Sequence, residues 1–253
     1  MMTDTSIRSI GGGMTAGEEA TWRHQQDTPG WAIDMVWRDL LFMHWPVDVD
    51  RLQSLLPEGL EADTHDGRAW IGLVPFTMDR VRMWSLPRIP GFTRFHECNV
   101  RTYVKCKGIP GVWFFSLDAA NPLAVWTARL IWKLNYVFAR FKVSHEEDHC
   151  TYQVRRPSGV GSRIQWRVGK ELPTSQPGTL EHFLTERYCL YSASRGRIWR
   201  GIVHHDPWQL CEAEVPELHD QLVSCVGIDV RGDPICHAAK PVHVHGWPIR
   251  RIR

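Results

Sequence analysis

Alternation of side chains over residues 97–106 constrains the fold of this chain more than any other feature. The segment reads ECNVRTYVKC, and because successive side chains of a strand point to opposite faces, it predicts a strand with two unlike faces. One face carries a small row, Cys98, Val100, Thr102, Val104 and Cys106. The other carries a polar row, Glu97, Asn99, Arg101, Tyr103 and Lys105. An ordinary half-buried strand would turn this polar row to water.

The segment that follows favours the opposite orientation. After a turn of composition KGIPG at 107–111, the sequence VWFFSLDA places bulky apolar side chains on both of its faces. A partner that is apolar on both faces is typical of strands covered on both sides. Glu97 and Arg101 can also pair with each other along the same face. We therefore favour a polar row that lines an internal cavity over one that faces solvent.

Short strand patterns recur along the rest of the chain, with only a few helices between them. Strands are predicted near 36–45, 149–156, 161–168, 188–194, 197–204 and 236–245, with a hairpin turn at Asp66-Gly67. Helices are predicted after Asp48 or Asp50, over 123–134 with Asn121 as N-cap, and near 179–187. This pattern predicts an α+β protein with a large, mostly antiparallel sheet and a few flanking helices. A sheet of this length tends to curl or close.

The chain contains no linker that would divide it. Residues 1–30 are rich in Gly, Thr and charged side chains and predict a flexible N-terminal arm, and residues 31–253 predict a single domain. Pro87, Pro90 and Gly91 predict a loop before the polar strand.

Composition excludes several classes of protein. The net charge of +2 is too small to indicate a nucleic-acid-binding protein. The sequence contains no run of about 18 apolar residues, so no membrane-spanning helix is predicted. Seven cysteines without a CxxC pair disfavour a disulfide framework or a zinc ribbon, and no signal peptide is visible at the N-terminus. We expect a cytoplasmic protein with reduced thiols. The thirteen tryptophans are dispersed and are interpreted as core or pocket wall.

Histidines provide the other candidate sites. His204 closes a strand, where it either presents an imidazole to a pocket or bonds to backbone. His243 and His245 share one strand face, but no third ligand lies at a defined spacing, so no metal is predicted. Nucleotide-binding and serine-hydrolase motifs are absent, and no cofactor is predicted.

Four separated segments resemble the YqjF-like family of uncharacterised bacterial proteins, which is placed in the acetoacetate-decarboxylase-like superfamily. They begin LLFMHWPVDVD at 40, FHECNVRTYVKC at 95, FLTERYCLYS at 183 and VHHDPWQL at 203. The resemblance covers roughly residues 34–247. It implies one cone-like β-barrel with flanking helices and an internal cavity.

The more distant resemblance to acetoacetate decarboxylase concerns Lys105. The decarboxylase motif Gly-aromatic-Pro-Lys-Lys, whose first Lys forms a Schiff base, can be laid over residues 102–106, and Lys105 then falls on the nucleophile. Cys106 stands where the motif has its second Lys, and the Gly and the Pro are also replaced. The second Lys depresses the pKa of the nucleophile by like-charge proximity.

These observations predict a protein with an internal cavity that binds a small carboxylate- or carbonyl-bearing molecule. Arg101 would hold the anion, Glu97 would orient Arg101 or move protons, and Tyr103, Asn99 and His204 would complete the binding site. The chain is then either a lyase of decarboxylase type, acting through Lys105 or by simple enolisation, or a non-catalytic binding barrel. A Trp-rich scaffold or homo-oligomer interface is a third hypothesis, and it predicts no enclosed cavity.

Overall fold

The computed structural model describes residues 30–83, 93–146 and 148–252. Within these ranges sixteen strands belong to one sheet, and three α-helices flank it. The predicted arm at 1–30 lies outside these ranges except for residue 30, and the predicted loop residues Pro87, Pro90 and Gly91 all lie outside them. No helix in the described part of the chain has both the length and the apolar character needed to cross a membrane. All seven cysteines are free thiols.

The elements are named here in chain order. The strands are β1 Ile33–Arg38, β2 Leu40–Val47, β3 Glu61–Ala62, β4 Ala69–Met83, β5 Phe95–Cys106, β6 Ile109–Ala119, β7 Tyr136–Phe138, β8 Arg140–Glu146, β9 His149–Arg155, β10 Gly161–Glu171, β11 Cys189–Ser194, β12 Arg197–His205, β13 Leu210–Asp220, β14 Ile235–Ala239, β15 Val242–Gly246 and β16 Arg250–Arg251. The helices are α1 Val49–Gln53, α2 Pro122–Ile131 and α3 Leu180–Thr185, with a 3₁₀ turn at Ser224–Val226.

The strand pairings form a cycle with a flank attached to it. The cycle runs β5–β6–β11–β12–β15–β1–β4 and returns to β5, because β4 also pairs with β5. The flank continues from β4 through β2, β14, β13, β10, β9 and β8. The pairings are antiparallel except for two short parallel contacts that β6 makes with β11 and with β7. The prediction of a mostly antiparallel sheet with a few helices is therefore confirmed.

Strand β4 joins the cycle to the flank because it pairs with two strands along one edge. Its residues 77–83 pair with β1 and its residues 69–73 pair with β2. The chain turns between β1 and β2 at Asp39, whose φ of 51° is left-handed. One continuous strand was predicted near 36–45, and this turn divides it.

A second break lies beside the first. The strand predicted near 236–245 is interrupted at Lys240 and Pro241, and its halves β14 and β15 pair with β2 and β1 respectively. Proline has no backbone N–H to donate to a sheet. The two breaks together let the sheet divide into the cycle and the flank.

Both faces of β5 are covered, as the sequence predicted. Cys98 and Val100 lie in the largest core cluster, which packs β4 and β5 against the flank strands through Tyr152, Ile164 and Trp166. On the opposite face the side chains of Glu97, Asn99, Arg101 and Tyr103 are buried as well. The polar row therefore faces inward until Lys105, which is only partly buried.

Local turn and capping chemistry follows the sequence closely. Asp48 caps α1 through a hydrogen bond from the Arg51 amide (2.8 Å), and the Asn121 side chain caps α2. Asp66 and Gly67 form the predicted tight turn, both with positive φ. The arm before that turn was expected to pair with β4, but β3 pairs with β5 instead.

Candidate functional site

A cavity of about 140 Å³ lies against the inward faces of β1, β4, β5, β6 and α2. Its wall is mostly apolar and includes Met35, Trp37, Phe42, Phe76, Phe114 and Trp208. Glu97, Asn99 and Arg101 reach the wall from alternate positions of β5. The sequence predicted a polar cavity. The structure instead shows a mostly apolar wall that carries a few polar groups.

Glu97 is the carboxyl group among the described residues that line the cavity. Only 1% of the residue is exposed. Burial is the main cause that raises the pKa of Glu97 to about 8, while hydrogen bonds from Tyr136 and Asn99 act in the opposite direction. The Tyr136 hydroxyl donates to Glu97 Oε2 over 2.8 Å. At neutral pH the Glu97 carboxyl group is therefore mainly protonated and able to donate.

Arg101 is a buried cation on the same wall. Its Nη2 donates to the carbonyl oxygen of Leu184 (3.0 Å) and to the hydroxyl of Tyr103 (3.3 Å), and its Nε has no partner. Its guanidinium carbon lies 5.0 Å from the centre of the Phe42 ring. No carboxylate in the described ranges forms an ion pair with it, so the pairing of Glu97 with Arg101 that the sequence allowed is absent.

Tyr103 lies behind Arg101 and is fully buried, away from the cavity wall. Its hydroxyl donates to the Leu184 carbonyl (2.5 Å) and lies 2.6 Å from His44 Nε2. Burial, followed by the charge of Arg101, lowers the pKa of His44, so this imidazole is neutral. A Cβ atom on Gly72 would come within 2.9 Å of the His44 ring. The close approach of His44 therefore requires glycine opposite it.

Lys105 lies at the end of the polar row and does not line the cavity. Its Nζ forms an ion pair with Asp63 Oδ1 (2.9 Å), and Arg187 Nη1 binds the other oxygen of the same carboxylate (2.8 Å). Arg187 itself reaches the cavity wall, whereas Asp63 is fully buried. The lysine that the decarboxylase motif assigns as nucleophile is thus part of a three-residue ion-pair cluster.

Strand β12 turns His205, and not His204, toward the cavity. His204 pairs in register with His245 of β15. Because directly paired residues share a sheet face, His204 belongs to the outer side, near Asp34, His243 and His245. These last three residues are the group in the described ranges whose donor atoms can hold a metal ion.

Sequence reasoning missed three partners of the polar row. His44, Tyr136 and the Leu184 carbonyl are between 39 and 83 residues away from the β5 residues that they bind. Alternation within β5 identifies its inward face but cannot identify what meets it. One local signal was available, because Glu186 and Arg187 lie at the end of the helix predicted near 179–187 and Arg187 reaches the cavity wall.

Comparison with known proteins identifies the relatives of this chain. It is 39% identical to the uncharacterised protein YqjF of Bacillus subtilis over 224 residues, which is 87% of this chain and 93% of that protein. Among solved structures it is similar to acetoacetate decarboxylase from Legionella pneumophila, with TM-score 0.64 and 15% identity over 89% of this chain and 88% of that one. It is also similar to the enduracididine biosynthesis enzyme MppR complexed with pyruvate, with TM-score 0.60 and 14% identity over 88% and 90% of the two chains.

The structural similarities establish the acetoacetate-decarboxylase-like fold, which the sequence predicted. The model of the DUF2071 family, described as an uncharacterised conserved protein, matches residues 34–243. That range contains β5, including its three cavity residues Glu97, Asn99 and Arg101. The chain therefore belongs to the DUF2071 family.

Proposed function

We propose that this chain binds a small, largely apolar molecule that carries a carboxylate beside a carbonyl group. The observation that carries the proposal is Arg101, a buried guanidinium on the cavity wall without an ion-pair partner in the described ranges. A buried charge is costly unless it is paired. A ligand carboxylate would supply the missing charge, and the unpartnered Nε would supply a further donor.

The size and the lining of the cavity limit the ligand. At about 140 Å³ the cavity is close in volume to an engineered apolar cavity of ~150 Å³ that binds benzene. The mostly apolar wall favours an aliphatic or aromatic body over a sugar or a nucleotide. We infer a keto acid or a related carboxylate with roughly ten or fewer non-hydrogen atoms.

Glu97 gives the proposed site its chemistry. A carboxyl group with a pKa of about 8 is protonated at neutral pH and can donate to a carbonyl oxygen, and once ionised it can accept a proton from the neighbouring carbon. Glu97 and Arg101 are four residues apart on one strand, about 13 Å along the backbone. Because the long Arg101 side chain and the Glu97 side chain both line the cavity, a ligand held at its carboxylate by Arg101 would present its carbonyl group to Glu97 where these two side chains approach each other. This arrangement suits enolisation of a keto acid, the first step of many lyase reactions.

The fold supports this substrate class through its neighbours. One similar structure is named acetoacetate decarboxylase, and another contains pyruvate. The first name gives a keto acid as the substrate of that protein, and the second structure is a complex with a keto acid. We also infer that the cycle of strand pairings closes a cone-like barrel around the cavity, since all seven of its strands supply lining residues, and β2 of the flank adds Leu40 and Phe42.

In this proposal Glu97, and not a lysine Schiff base, performs the proton transfer. No lysine is among the described residues that line the cavity, and the Lys105 ammonium is held by Asp63. Borohydride treatment in the presence of a panel of keto acids, followed by intact mass measurement, separates the two routes. We expect no adduct, and a stable adduct on Lys105 would replace the Glu97 route by Schiff-base catalysis.

A non-catalytic binding protein is the second candidate function, and the apolar wall with few polar groups favours it. Exchange of ligand C–H for deuterium in D₂O distinguishes the two functions. An enolising enzyme exchanges the hydrogen next to the carbonyl and loses this exchange in Glu97→Gln. Binding without any exchange would establish the binding function instead.

The binding proposal itself is tested by thermal shift with small keto acids and with their matched amides. A ligand at 100 times its dissociation constant stabilises the folded state by about 2.7 kcal/mol. We expect this stabilisation for the acids, little for the amides, and its loss in Arg101→Gln. Arg163→Gln, which removes a partly exposed arginine from an ion pair with Glu217, is the matched control and should bind normally. Equal stabilisation of Arg101→Gln and the unaltered chain would contradict the proposal.

A further inference from the structure

Three metal-ligating side chains converge on the outer face of β1 and β15. The available donor atoms of Asp34, His243 and His245 all lie within 4.8 Å of one another. None of the three lines the proposed ligand cavity. The cluster is therefore separate from the site described above.

The register of the two strands produces this convergence. Asp34 pairs with His245, and Val36 pairs with His243. Because side chains alternate, Met35 and Val244 point into the core while Asp34, His243 and His245 share the opposite face. The pairing of β1 with β15 is continuous across all three residues, so only side-chain rotation is needed to bring the donor atoms together.

The two oxygens of Asp34 have different neighbours. Oδ1 is hydrogen-bonded to His243 Nε2 and lies 3.6 Å from His245 Nε2. Oδ2 accepts a hydrogen bond from Arg82 Nη2 (3.0 Å), whose guanidinium is stacked 4.8 Å from the centre of the Trp31 ring. One oxygen is thus fixed from outside the cluster, and the other faces both imidazoles. A ligating carboxylate is commonly held by an outer hydrogen bond in this way.

The backbone beside Asp34 is irregular. The pairing of β1 with β4 shifts between Asp34 and Val36, and Arg80 on β4 has a left-handed φ of 54°. Such bulges re-aim side chains and are frequent next to functional sites. Here the bulge lies next to Arg82, the residue that holds Asp34.

We propose that Asp34, His243 and His245 bind one divalent transition-metal ion, with zinc as the best match. A site with two imidazoles and one carboxylate suits Zn²⁺ and disfavours the oxygen-preferring Mg²⁺ and Ca²⁺. Ligand bonds of about 2.0–2.2 Å place tetrahedral donor atoms roughly 3.4 Å apart. His245 Nε2 already lies 3.6 Å from Asp34 Oδ1. His243 Nε2 is hydrogen-bonded directly to the same oxygen, so its half-exposed side chain would turn to exchange that hydrogen bond for a bond to the metal. The His243 side chain is 56% exposed, so solvent can reach the ion and water can complete its coordination.

The experiment uses the full chain without an affinity tag, after removal of metal by a chelator. Zinc is titrated in competition with a chromogenic chelator, and Co²⁺ is added separately so that its absorption spectrum reports nitrogen and oxygen coordination. We expect one equivalent of zinc to bind, and a loss of at least about tenfold in affinity in Asp34→Asn, His243→Gln and His245→Gln. His219→Gln is the matched control, because His219 lies 3.7 Å from Glu217 but belongs to no such cluster. It should bind zinc as the unaltered chain does.

The proposal is overturned if the unaltered chain shows no saturable zinc binding. It is also overturned if the double variant His243→Gln/His245→Gln keeps its affinity, or if His219→Gln loses it equally. Circular dichroism of each variant verifies that it is folded. Keto-acid stabilisation through Arg101 is measured on the same variants and should be unchanged, so failure of one site is distinguishable from failure of the other.

Discussion

Burial of the Glu97 carboxyl group makes the stability of the protein depend on pH. The folded state holds the Glu97 proton up to a pH of about 8, whereas an exposed glutamate loses it near 4.5. Between these values the unfolded state binds fewer protons, so the free energy of unfolding falls as pH rises. We expect this loss to be several kcal/mol between pH 5 and pH 8.5, and to be much smaller in Glu97→Gln. Urea unfolding of both chains across this range measures it.

Glu58→Gln is the control for that measurement, because Glu58 is exposed. It should follow the pH profile of the unaltered chain. Parallel profiles for Glu97→Gln and the unaltered chain would show that Glu97 is ionised in the folded state. The protonated form that the proposed chemistry uses would then be absent at neutral pH.

At this scale the sequence predicts faces better than partners. Alternation places Glu97, Asn99 and Arg101 on one side of β5, and the structure brings all three to the cavity. The same alternation carries Lys105 to the strand end, where burial decreases and Asp63 binds it. His243 and His245 were visible as a pair, but Asp34 joins them only through a strand register that spans about 210 residues. No local pattern encodes that register.

Strand pairing around Gly72 provides a prediction for a single element. Gly72 of β4 lies opposite His44 of β2, and a Cβ atom there would meet the His44 ring at 2.9 Å. We expect Gly72→Ala to displace this imidazole from Tyr103 and to lower the free energy of unfolding by about 1–3 kcal/mol. Chemical denaturation measures the change.

A double-mutant cycle separates this collision from a general effect on β4. His44→Ala removes the ring that the new methyl group would meet, so Gly72→Ala should cost much less in that background. Equal costs in the two backgrounds would mean that the collision is not the cause.

Two strands that the sequence predicted as continuous are divided in the structure, and two others, β8 and β13, were not predicted. Asp39 and Pro241 interrupt two segments whose apolar patterns continue across the break, so pattern alone predicts one strand in each place. Strand β8 carries mostly polar, partly exposed side chains, and Pro216 interrupts the alternation of acidic and apolar residues in β13, so neither was predicted. Their pairing with well-formed neighbours stabilises both of them.

A buried ion pair between Arg156 and Asp118 links the flank to the cycle of strands. Arg156 follows β9 of the flank, and its Nε and Nη2 bind the two carboxylate oxygens of Asp118 on β6 at 2.6 and 2.7 Å. The Asp118 side chain is fully buried. Removing the arginine leaves an uncompensated buried charge, so we expect Arg156→Met to lower the free energy of unfolding by about 3–5 kcal/mol. Urea unfolding at pH 7 tests this.

Arg163→Met is the matched control, since Arg163 binds Glu217 over the same 2.6 Å but with its side chain 41% exposed. An exposed pair contributes about 0–1 kcal/mol because water screens it. Similar costs for the two variants would show that the Arg156 pair does not hold the flank to the cycle.

For the whole molecule, the sequence was sufficient for class and family but not for connectivity. Many short strands and few helices predicted the antiparallel α+β class, and four separated segments predicted the family. The cycle arises because β4 pairs with three strands and β1 pairs with β15. These choices depend on the packing of apolar faces from distant parts of the chain.

The pairing of β1 with β15 also bears on how the chain reaches its native state. Ile33 pairs with Gly246, and β4 and β15 are the two neighbours of β1. On a ribosome, one edge of β1 therefore stays unpaired until nearly the whole described chain has been made. Contacts between such distant residues slow folding because the loop must close before they form. A nascent chain of this protein would expose an open strand edge for most of its synthesis, which is the interval in which edge-to-edge association with other chains is most favourable.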